Sequence, residues 1–151
     1  MLTKEQAVID GLKEKIFFHR FIGHVGATFR HWYHGHTVLY DELIRRYHPT
    51  AKSRALADIL GTSPFTGTSI NIGPRALATN HRDSANLLNG PCAIGVFGNF
   101  DGTTAAQVIF HEAKVICEYI PGDVYYVLSS SISHENLDMP EGCVRQCHGS
   151  I

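Results

Sequence analysis

The spacing of apolar residues changes at Gly61, and this change constrains the fold more than any other feature of the sequence. Before Gly61, apolar side chains recur at every fourth residue, as at Val8 and Leu12, which is typical of amphipathic helices. After it, the apolar segments are short and are separated by turn residues, which is typical of strands. The sequence therefore predicts helical support over residues 1–60 and a β-rich core over residues 61–151.

Four helices are predicted before Gly61. Thr3 and Gln6 have the spacing of a capping box, in which each side chain satisfies a free backbone N–H group at the start of a helix. The second helix is aromatic and interrupted by glycine, so its limits are not defined by the pattern. Pro49 cannot continue a helix and therefore ends the third one. The predicted helices are Thr3–Phe18, Phe21–Tyr33, Thr37–Tyr47 and Ser53–Leu60.

Seven short segments after the loop Gly61–Gly67 are predicted strands, because each is apolar and bounded by turn residues. Pro121-Gly122-Asp123 is a turn signal between two of them, since Pro fixes φ and Gly accepts a positive φ. A chain of 151 residues favours one domain, and strands at this spacing favour a β-sandwich or jelly roll. The predicted strands are Thr68–Ile72, Arg75–Thr79, Cys92–Phe97, Gln107–Phe110, Lys114–Tyr119, Val124–Leu128 and Val144–His148.

Charge and hydropathy limit the classes of partner. The net charge is −1 at pH 7, so no broad electrostatic field favours nucleic acid or membrane surfaces. No apolar run is long enough for a membrane span, and the N-terminus lacks the apolar core of a signal peptide. The four cysteines are too irregularly spaced for a disulfide framework. We therefore expect an intracellular protein, in the nucleus or the cytoplasm, with no membrane partner.

Three side chains from two distant segments of the sequence have the chemistry of an iron site. His81 and Asp83 lie two positions apart in a polar loop after a predicted strand, and His134 follows a later strand-like segment. Two imidazoles and one carboxylate form the face on which non-haem Fe(II) oxygenases hold iron, with three coordination positions left open. The His-x-Asp pattern alone is common. The alternative is a loop histidine, a capping aspartate and a surface histidine.

Two other clusters contain metal-binding residue types. His31–His36 places three imidazoles in six residues, but a zinc site generally needs a second cluster at defined spacing, so aromatic packing at a helix end is favoured. Cys143 and Cys147 resemble half of a zinc site. Strand alternation would direct both of them to the same face as Arg145, which favours a role in lining the core or a site.

Several short motifs occur together in a fixed order, and their order is more specific than any one of them. Over residues 40–148 the chain resembles the TET/JBP-like Fe(II)- and 2-oxoglutarate-dependent dioxygenases of mushroom-forming (basidiomycete) fungi. The resemblance implies a double-stranded β-helix, or jelly roll, with supporting N-terminal helices. The motifs are Ile70–Arg75, His81–Leu87, Gly90–Ala93, Gly98–Asp101, Pro121–Asp123, Ser129-Ser130, His134–Asn136 and Arg145.

The resemblance also implies a role for individual residues. His81, Asp83 and His134 correspond to the iron ligands of the family, and Arg145 corresponds to the basic residue that binds the far carboxylate of 2-oxoglutarate. An arginine suits that role because its planar guanidinium can donate two parallel hydrogen bonds to a carboxylate. The expected cofactors are therefore Fe(II) and the cosubstrate 2-oxoglutarate, with O2 as the oxidant.

Two asparagines lie close in sequence to the expected ligands. Asn86 and Asn136 are expected to hold a ligand or the cosubstrate in position, with loop capping as an equal alternative. Cys147 falls in the cosubstrate site, where relatives have the serine of an Arg-x-Ser motif. Relatives also have a glycine pair in place of Ala105-Ala106, and they continue beyond Ile151. These departures place activity in question more than fold.

The implied function is the oxidation of a C–H bond. A modified base in DNA or RNA is the first substrate expected from the resemblance, followed by a protein side chain or a small metabolite. Two alternatives belong to other classes. One is a catalytically impaired or non-enzymatic jelly-roll binding module, and the other is a fragment of a larger dioxygenase that lacks its C-terminal segment.

Overall fold

A computed structural model of the protein describes residues 7, 10–12, 14–47 and 63–150. The chain forms two compact units, Met1–Thr66 and Gly67–Ile151. The described residues of the first unit are mainly helical, and those of the second form antiparallel sheets. The predicted α+β class, with helices first and strands after, is confirmed. The single domain remains a prediction.

Two helices are described in full in the first unit, α1 (Ile16–Trp32) and α2 (His34–Tyr47). The buried face of α1 has the helical spacing expected of an amphipathic helix. Its largest buried side chain, Phe29, stacks on Tyr40 at 5.4 Å between ring centroids and meets Phe65 edge-on at 4.8 Å. The buried residues of α1 are Phe18, Ile22, Val25, Gly26 and Phe29.

The predicted helix limits were partly wrong. The predicted helix Thr3–Phe18 is interrupted, because Lys15 is extended (φ −87°, ψ 125°) and α1 begins only at Ile16. The last predicted residues of that helix therefore belong to the next one. The predicted helix Thr37–Tyr47 is confirmed within α2, which begins three residues earlier, at His34. The capping box at Thr3 and the predicted helix Ser53–Leu60 lie outside the described residues.

The described residues of the second unit form two antiparallel sheets. One sheet has the strand order β1-β7-β2-β5 and the other the order β4-β3-β6. Two features define the larger sheet: β2 pairs with both β5 and β7, and β7 also pairs with β1. The strands are β1 (Thr68–Asn71), β2 (Cys92–Asn99), β3 (Val108–Phe110), β4 (Val115–Cys117), β5 (Val124–Val127), β6 (His134–Asn136) and β7 (Val144–Ser150).

The predicted strand Arg75–Thr79 is wrong. This segment passes from one sheet to the other and makes isolated backbone hydrogen bonds with each, without forming a continuous ladder with either. At its start it pairs with β7, where Arg145 N–H donates to Pro74 O (2.9 Å) and Ala76 N–H donates to Arg145 O (3.0 Å). Further along it pairs with β6, where Asn136 N–H donates to Ala78 O (3.0 Å). We call residues 74–83 the crossing segment. It places His81 and Asp83 beside β6.

The core of the second unit is a cluster of buried apolar residues. Tyr119, Tyr125 and Cys143, which are partly buried, pack against this cluster. Alternation along β7 directs Arg145 and Cys147 to the same face of the sheet, as predicted, and Cys147 lies opposite Val96 of β2. Among the described residues, no helix is both long and apolar enough to cross a membrane. The core cluster consists of Val96, Phe100, Ala105, Ala106 and Met139.

His148 gives the stability of the fold a specific pH dependence. Its side chain is 3 % exposed and its Nε2 lies 2.5 Å from Thr68 Oγ1. Burial lowers the pKa of His148 from 6.5 to about 4, since an imidazolium loses its hydration there. Between pH 6.5 and 4 the unfolded chain therefore binds a proton that the folded chain does not. Stability falls as pH decreases through this window, by about 3 kcal/mol in total.

Urea unfolding of wild-type and His148→Gln proteins between pH 7 and 4 tests this dependence. The variant has no imidazole to protonate at this position, so its midpoint should fall less steeply than that of the wild type. His111→Gln serves as a control, because His111 is an exposed histidine of the same unit. Equal slopes for His148→Gln and the wild type would show that His148 is not the group responsible.

Candidate metal centre

Backbone hydrogen bonds bring His81 and His134 side by side. Each residue donates its N–H to the carbonyl of the other, at 3.1 Å and 3.0 Å, which joins the crossing segment to the start of β6. The two imidazole rings are consequently adjacent, with centroids 4.4 Å apart. His134 is buried and His81 is exposed, so the pair extends from the interior of the unit toward the solvent.

The hydrogen bonds of both rings leave the same nitrogen available for a metal. Nδ1 of His81 lies 2.8 Å from Thr79 O, and Nδ1 of His134 lies 3.0 Å from Ile132 O. A carbonyl oxygen can only accept, so Nδ1 carries a hydrogen in each ring, and in the neutral imidazole this leaves the lone pair on Nε2. Metal-binding histidines are typically oriented by a hydrogen bond of this kind. Both rings therefore have the tautomer that metal binding through Nε2 requires.

Asp83 completes a group of three ligand atoms. Its Oδ1 lies 3.4 Å from His81 Nε2, and the ligand atoms of His81, Asp83 and His134 all lie within 4.8 Å of one another. Within the described parts of the chain, no other group of histidine, cysteine and acidic side chains comes together in this way. Two imidazole nitrogens and one carboxylate on one side of a cavity suit Fe(II), so these residues fit the metal that the sequence predicted.

A buried polar network holds Asp83 in place. Its backbone N–H donates to Ser129 O at 3.0 Å. The Asn86 side chain donates to Ser129 Oγ at 2.8 Å and lies 3.4 Å from Asp83 Oδ2, and the Cys92 thiol donates to Ser129 Oγ at 3.0 Å. Burial raises the pKa of Cys92, which keeps the thiol protonated as a donor. The backbone N–H of Asn86 also donates to the Asp83 carbonyl oxygen (2.9 Å).

The sequence did not assign roles to Ser129 and Cys92, although both lie within motifs of the resemblance. Ser129 lies two positions after the end of β5. It is completely buried, although a serine side chain is small and polar and gains little from burial. A buried hydroxyl needs hydrogen-bond partners, and those of Ser129 come from residues 37 to 43 positions away. A polar run after a strand was the available signal. It could not identify which of its serines is buried.

Arg145 is a buried cation whose hydrogen-bond partners, within the described part of the chain, are neutral. Its side chain is 3 % exposed, and its Nη1 donates to Ala76 O (2.6 Å) and to Asn136 Oδ1 (3.2 Å). Among the described residues it has no carboxylate partner, and its Nε has no hydrogen-bond partner. Asn136 Oδ1 also accepts from Ala78 N–H at 2.8 Å, which fixes the amide against the crossing segment. The guanidinium is thus held rigidly with donor capacity to spare.

The three candidate ligands and Arg145 line one cavity of ≈ 470 Å³ in the second unit. One wall is a face of the larger sheet and includes Cys147 and Tyr125, and burial raises the pKa of both. Both side chains are therefore neutral at pH 7. A side chain at Gly149 would place its Cβ 2.9 Å from Ser69 Oγ, so the serine hydroxyl would have to move. Further lining residues are Ala78, Arg82, Ser84, Ala85, Asn86, Cys92, Ile94, Val108, Glu135 and Asn136.

Two of the departures from the family's motifs lie in different places. Cys147 lines the cavity, and its role in cosubstrate binding stays a prediction. Ala105 and Ala106 do not line it but are buried in the core cluster. Ala106 nevertheless has φ 61°, a conformation that glycine adopts more readily than alanine.

Comparison with known proteins supports the architecture. No protein-family model and no curated protein matches this chain. The crystal structure of NgTET1 in complex with 5mC DNA matches 75 % of it, with a TM-score of 0.50. The chain has a TET-like fold. Sequence identity to NgTET1 is 17 %, so the similarity concerns fold alone, and the match spans 45 % of the NgTET1 chain. The fungal origin stays a prediction.

Proposed function

We propose that the chain is an Fe(II)- and 2-oxoglutarate-dependent dioxygenase with a jelly-roll core. The observation that carries the proposal is the location of Arg145. This buried guanidinium, which has no carboxylate partner among the described residues, shares one cavity with the His81, Asp83 and His134 side chains. A site that binds only a metal does not require a buried arginine, and a site that binds only an anion does not require the metal ligands.

Electrostatics explains why Arg145 calls for an anionic ligand. An arginine stays protonated even when buried, and an uncompensated buried charge is costly. The carbonyl and amide oxygens that accept from Nη1 offset only part of this cost. A small dicarboxylate would supply the missing negative charge at one end, and its other end could reach the metal. 2-Oxoglutarate has this chemistry.

Each residue of the site then has a defined role. His81, Asp83 and His134 would hold Fe(II), and the metal would couple decarboxylation of 2-oxoglutarate by O2 to insertion of one oxygen atom into a substrate C–H bond. The products are succinate, CO2 and the hydroxylated substrate. Arg145 orients 2-oxoglutarate by binding one of the carboxylates of this cosubstrate. Asn136 holds Arg145, while Asn86 and Ser129 hold Asp83.

A modified nucleobase of DNA or RNA is the proposed oxidised group. A cavity of ≈ 470 Å³ lies within the usual range of about 300–1,000 Å³ for small-molecule sites, which suits a single base beside the cosubstrate. NgTET1, which has a similar fold, is known in complex with 5mC DNA. Residues 67–151 contain four basic and eight acidic side chains, however, so this unit carries a net charge of −4. It does not favour a phosphate backbone, and the free nucleoside should be tested beside the oligonucleotide.

An anaerobic titration tests the cofactor assignment. Adding 2-oxoglutarate to the Fe(II)-loaded chain should produce the visible charge-transfer band of a chelated 2-oxo acid. Admitting O2 should then yield succinate, with more succinate in the presence of a methylated nucleoside or oligonucleotide if either is the substrate. Bound iron without the band, or the band without succinate, would argue for a binding module that keeps the fold and lacks the activity.

A further inference from the structure

We propose that Glu112 is a positioning residue, which holds the crossing segment and the start of β6 in register and so preorganises the three candidate ligands. This inference builds on the proposed function. Glu112 lies outside the cavity, in the turn between β3 and β4, and no motif in the sequence points to it. Its carboxylate is bonded on one side to Arg82 and on the other to Ser133.

The contacts with Ser133 fix the residue before His134. Ser133 N–H donates to Glu112 Oε2 at 2.7 Å, and Ser133 Oγ lies 2.9 Å and 3.0 Å from the two carboxylate oxygens. The carbonyl of Ser133 accepts from His111 N–H at 3.0 Å. The peptide groups on both sides of Ser133 are therefore bonded to the turn that carries Glu112. This leaves little freedom for the backbone that leads into His134.

The contact with Arg82 fixes the residue between the other two ligands. Arg82 Nη2 donates to Glu112 Oε1, and Arg82 is flanked in sequence by His81 and Asp83. A shift of the crossing segment along β6 would break this bond together with the reciprocal hydrogen bonds of His81 and His134. One carboxylate thus connects segments that are 51 residues apart, counted from Arg82 to Ser133 (133 − 82).

These contacts differ from those of an ordinary surface ion pair. An exposed pair held by a single contact contributes little and leaves both side chains mobile. Here both oxygens of Glu112 accept hydrogen bonds, and one donor is a backbone N–H group. The Arg82 bond, followed by those of Ser133, lowers the pKa of Glu112 to about 2, so the carboxylate is charged wherever the enzyme would work.

Metal affinity and amide hydrogen exchange together test the role. We expect Glu112→Ala to weaken Co(II) binding by about 10- to 100-fold, as loss of supporting contacts around metal ligands typically does. In the metal-free chain, the amides of His81, Ser133 and His134 should exchange faster, while Val96 in β2 should be unchanged. Glu112→Asp keeps the charge on a shorter side chain and should restore part of both effects. Glu118→Ala is the matched control, because Glu118 is also exposed and acidic but follows β4.

The outcomes separate this inference from the proposed function. If Glu112→Ala leaves both the Co(II) affinity and the exchange rates of the three amides at wild-type values, Glu112 has no positioning role. If the wild-type chain binds no Co(II), the iron assignment fails, and the exchange rates still decide whether Glu112 holds the two segments. A global loss of protection that includes Val96 would show a stabilising residue instead, and would overturn the inference.

Discussion

Replacing His81 or Asp83 by Ala is expected to abolish iron binding and 2-oxoglutarate turnover. A four-ligand zinc site binds with roughly 10–16 kcal/mol, or about 3 kcal/mol per ligand, so losing one ligand should weaken metal binding by about 100-fold or more. His81 is exposed and Asp83 partly exposed, and neither belongs to the core cluster, so both variants should fold. His134 is a poorer choice because it is buried, and its truncation would also leave a cavity.

Anaerobic Co(II) titration and succinate release under O2 are the measurements, with thermal unfolding to verify the fold. His111→Ala is the control, because His111 is a histidine of the same unit that contacts Glu135 and does not line the cavity. It should bind metal and turn over 2-oxoglutarate like the wild type. Wild-type turnover by the His81→Ala or Asp83→Ala variant would refute the assignment of these ligands.

The candidate ligands could be predicted because they belong to short motifs of recognisable residue types. His81 and Asp83 are two positions apart, and the resemblance supplied His134 and Arg145. What the sequence lacks is the set of long-range contacts that make these side chains usable. The Nδ1 hydrogen bonds, the burial of Ser129 and the contacts of Glu112 all depend on how the backbone runs between the sheets. Neither the residue types nor their spacing shows how the backbone runs between the sheets.

The apolar strands β2 and β5 were predictable, whereas the short polar strand β6 was not. Cys92–Asn99 and Val124–Val127 bury apolar side chains, and their patterns predicted them within two residues. His134–Asn136 was missed because its three residues are polar, yet it is held by pairing with β3 and buries two side chains that face the site. Arg75–Thr79 has apolar residues but no continuous partner, so it does not form a strand. Tertiary pairing overrode local propensity in both cases.

Replacing Arg145 by Met is expected to weaken 2-oxoglutarate binding by at least about tenfold while leaving metal binding intact. Each charge-assisted hydrogen bond to a carboxylate contributes about 1.5–3 kcal/mol, and methionine of similar length can make none. The fold should tolerate the change, because removing a buried charge without a carboxylate partner also removes its desolvation cost. Asn136 Oδ1 keeps its bond from Ala78 N–H in the variant, so the crossing segment stays in place.

Calorimetric titration of 2-oxoglutarate into Mn(II)-loaded protein measures this effect without turnover. Arg145→Lys should give an intermediate affinity, because an ammonium keeps the charge but cannot donate two parallel hydrogen bonds in one plane. Arg75→Met is the control, since Arg75 pairs with Asp138 and does not line the cavity. If Arg145→Met binds 2-oxoglutarate as tightly as the wild type, the cosubstrate is held elsewhere. Arg145 would then need a different anion to account for its burial, and the link between the guanidinium and the metal site would be lost.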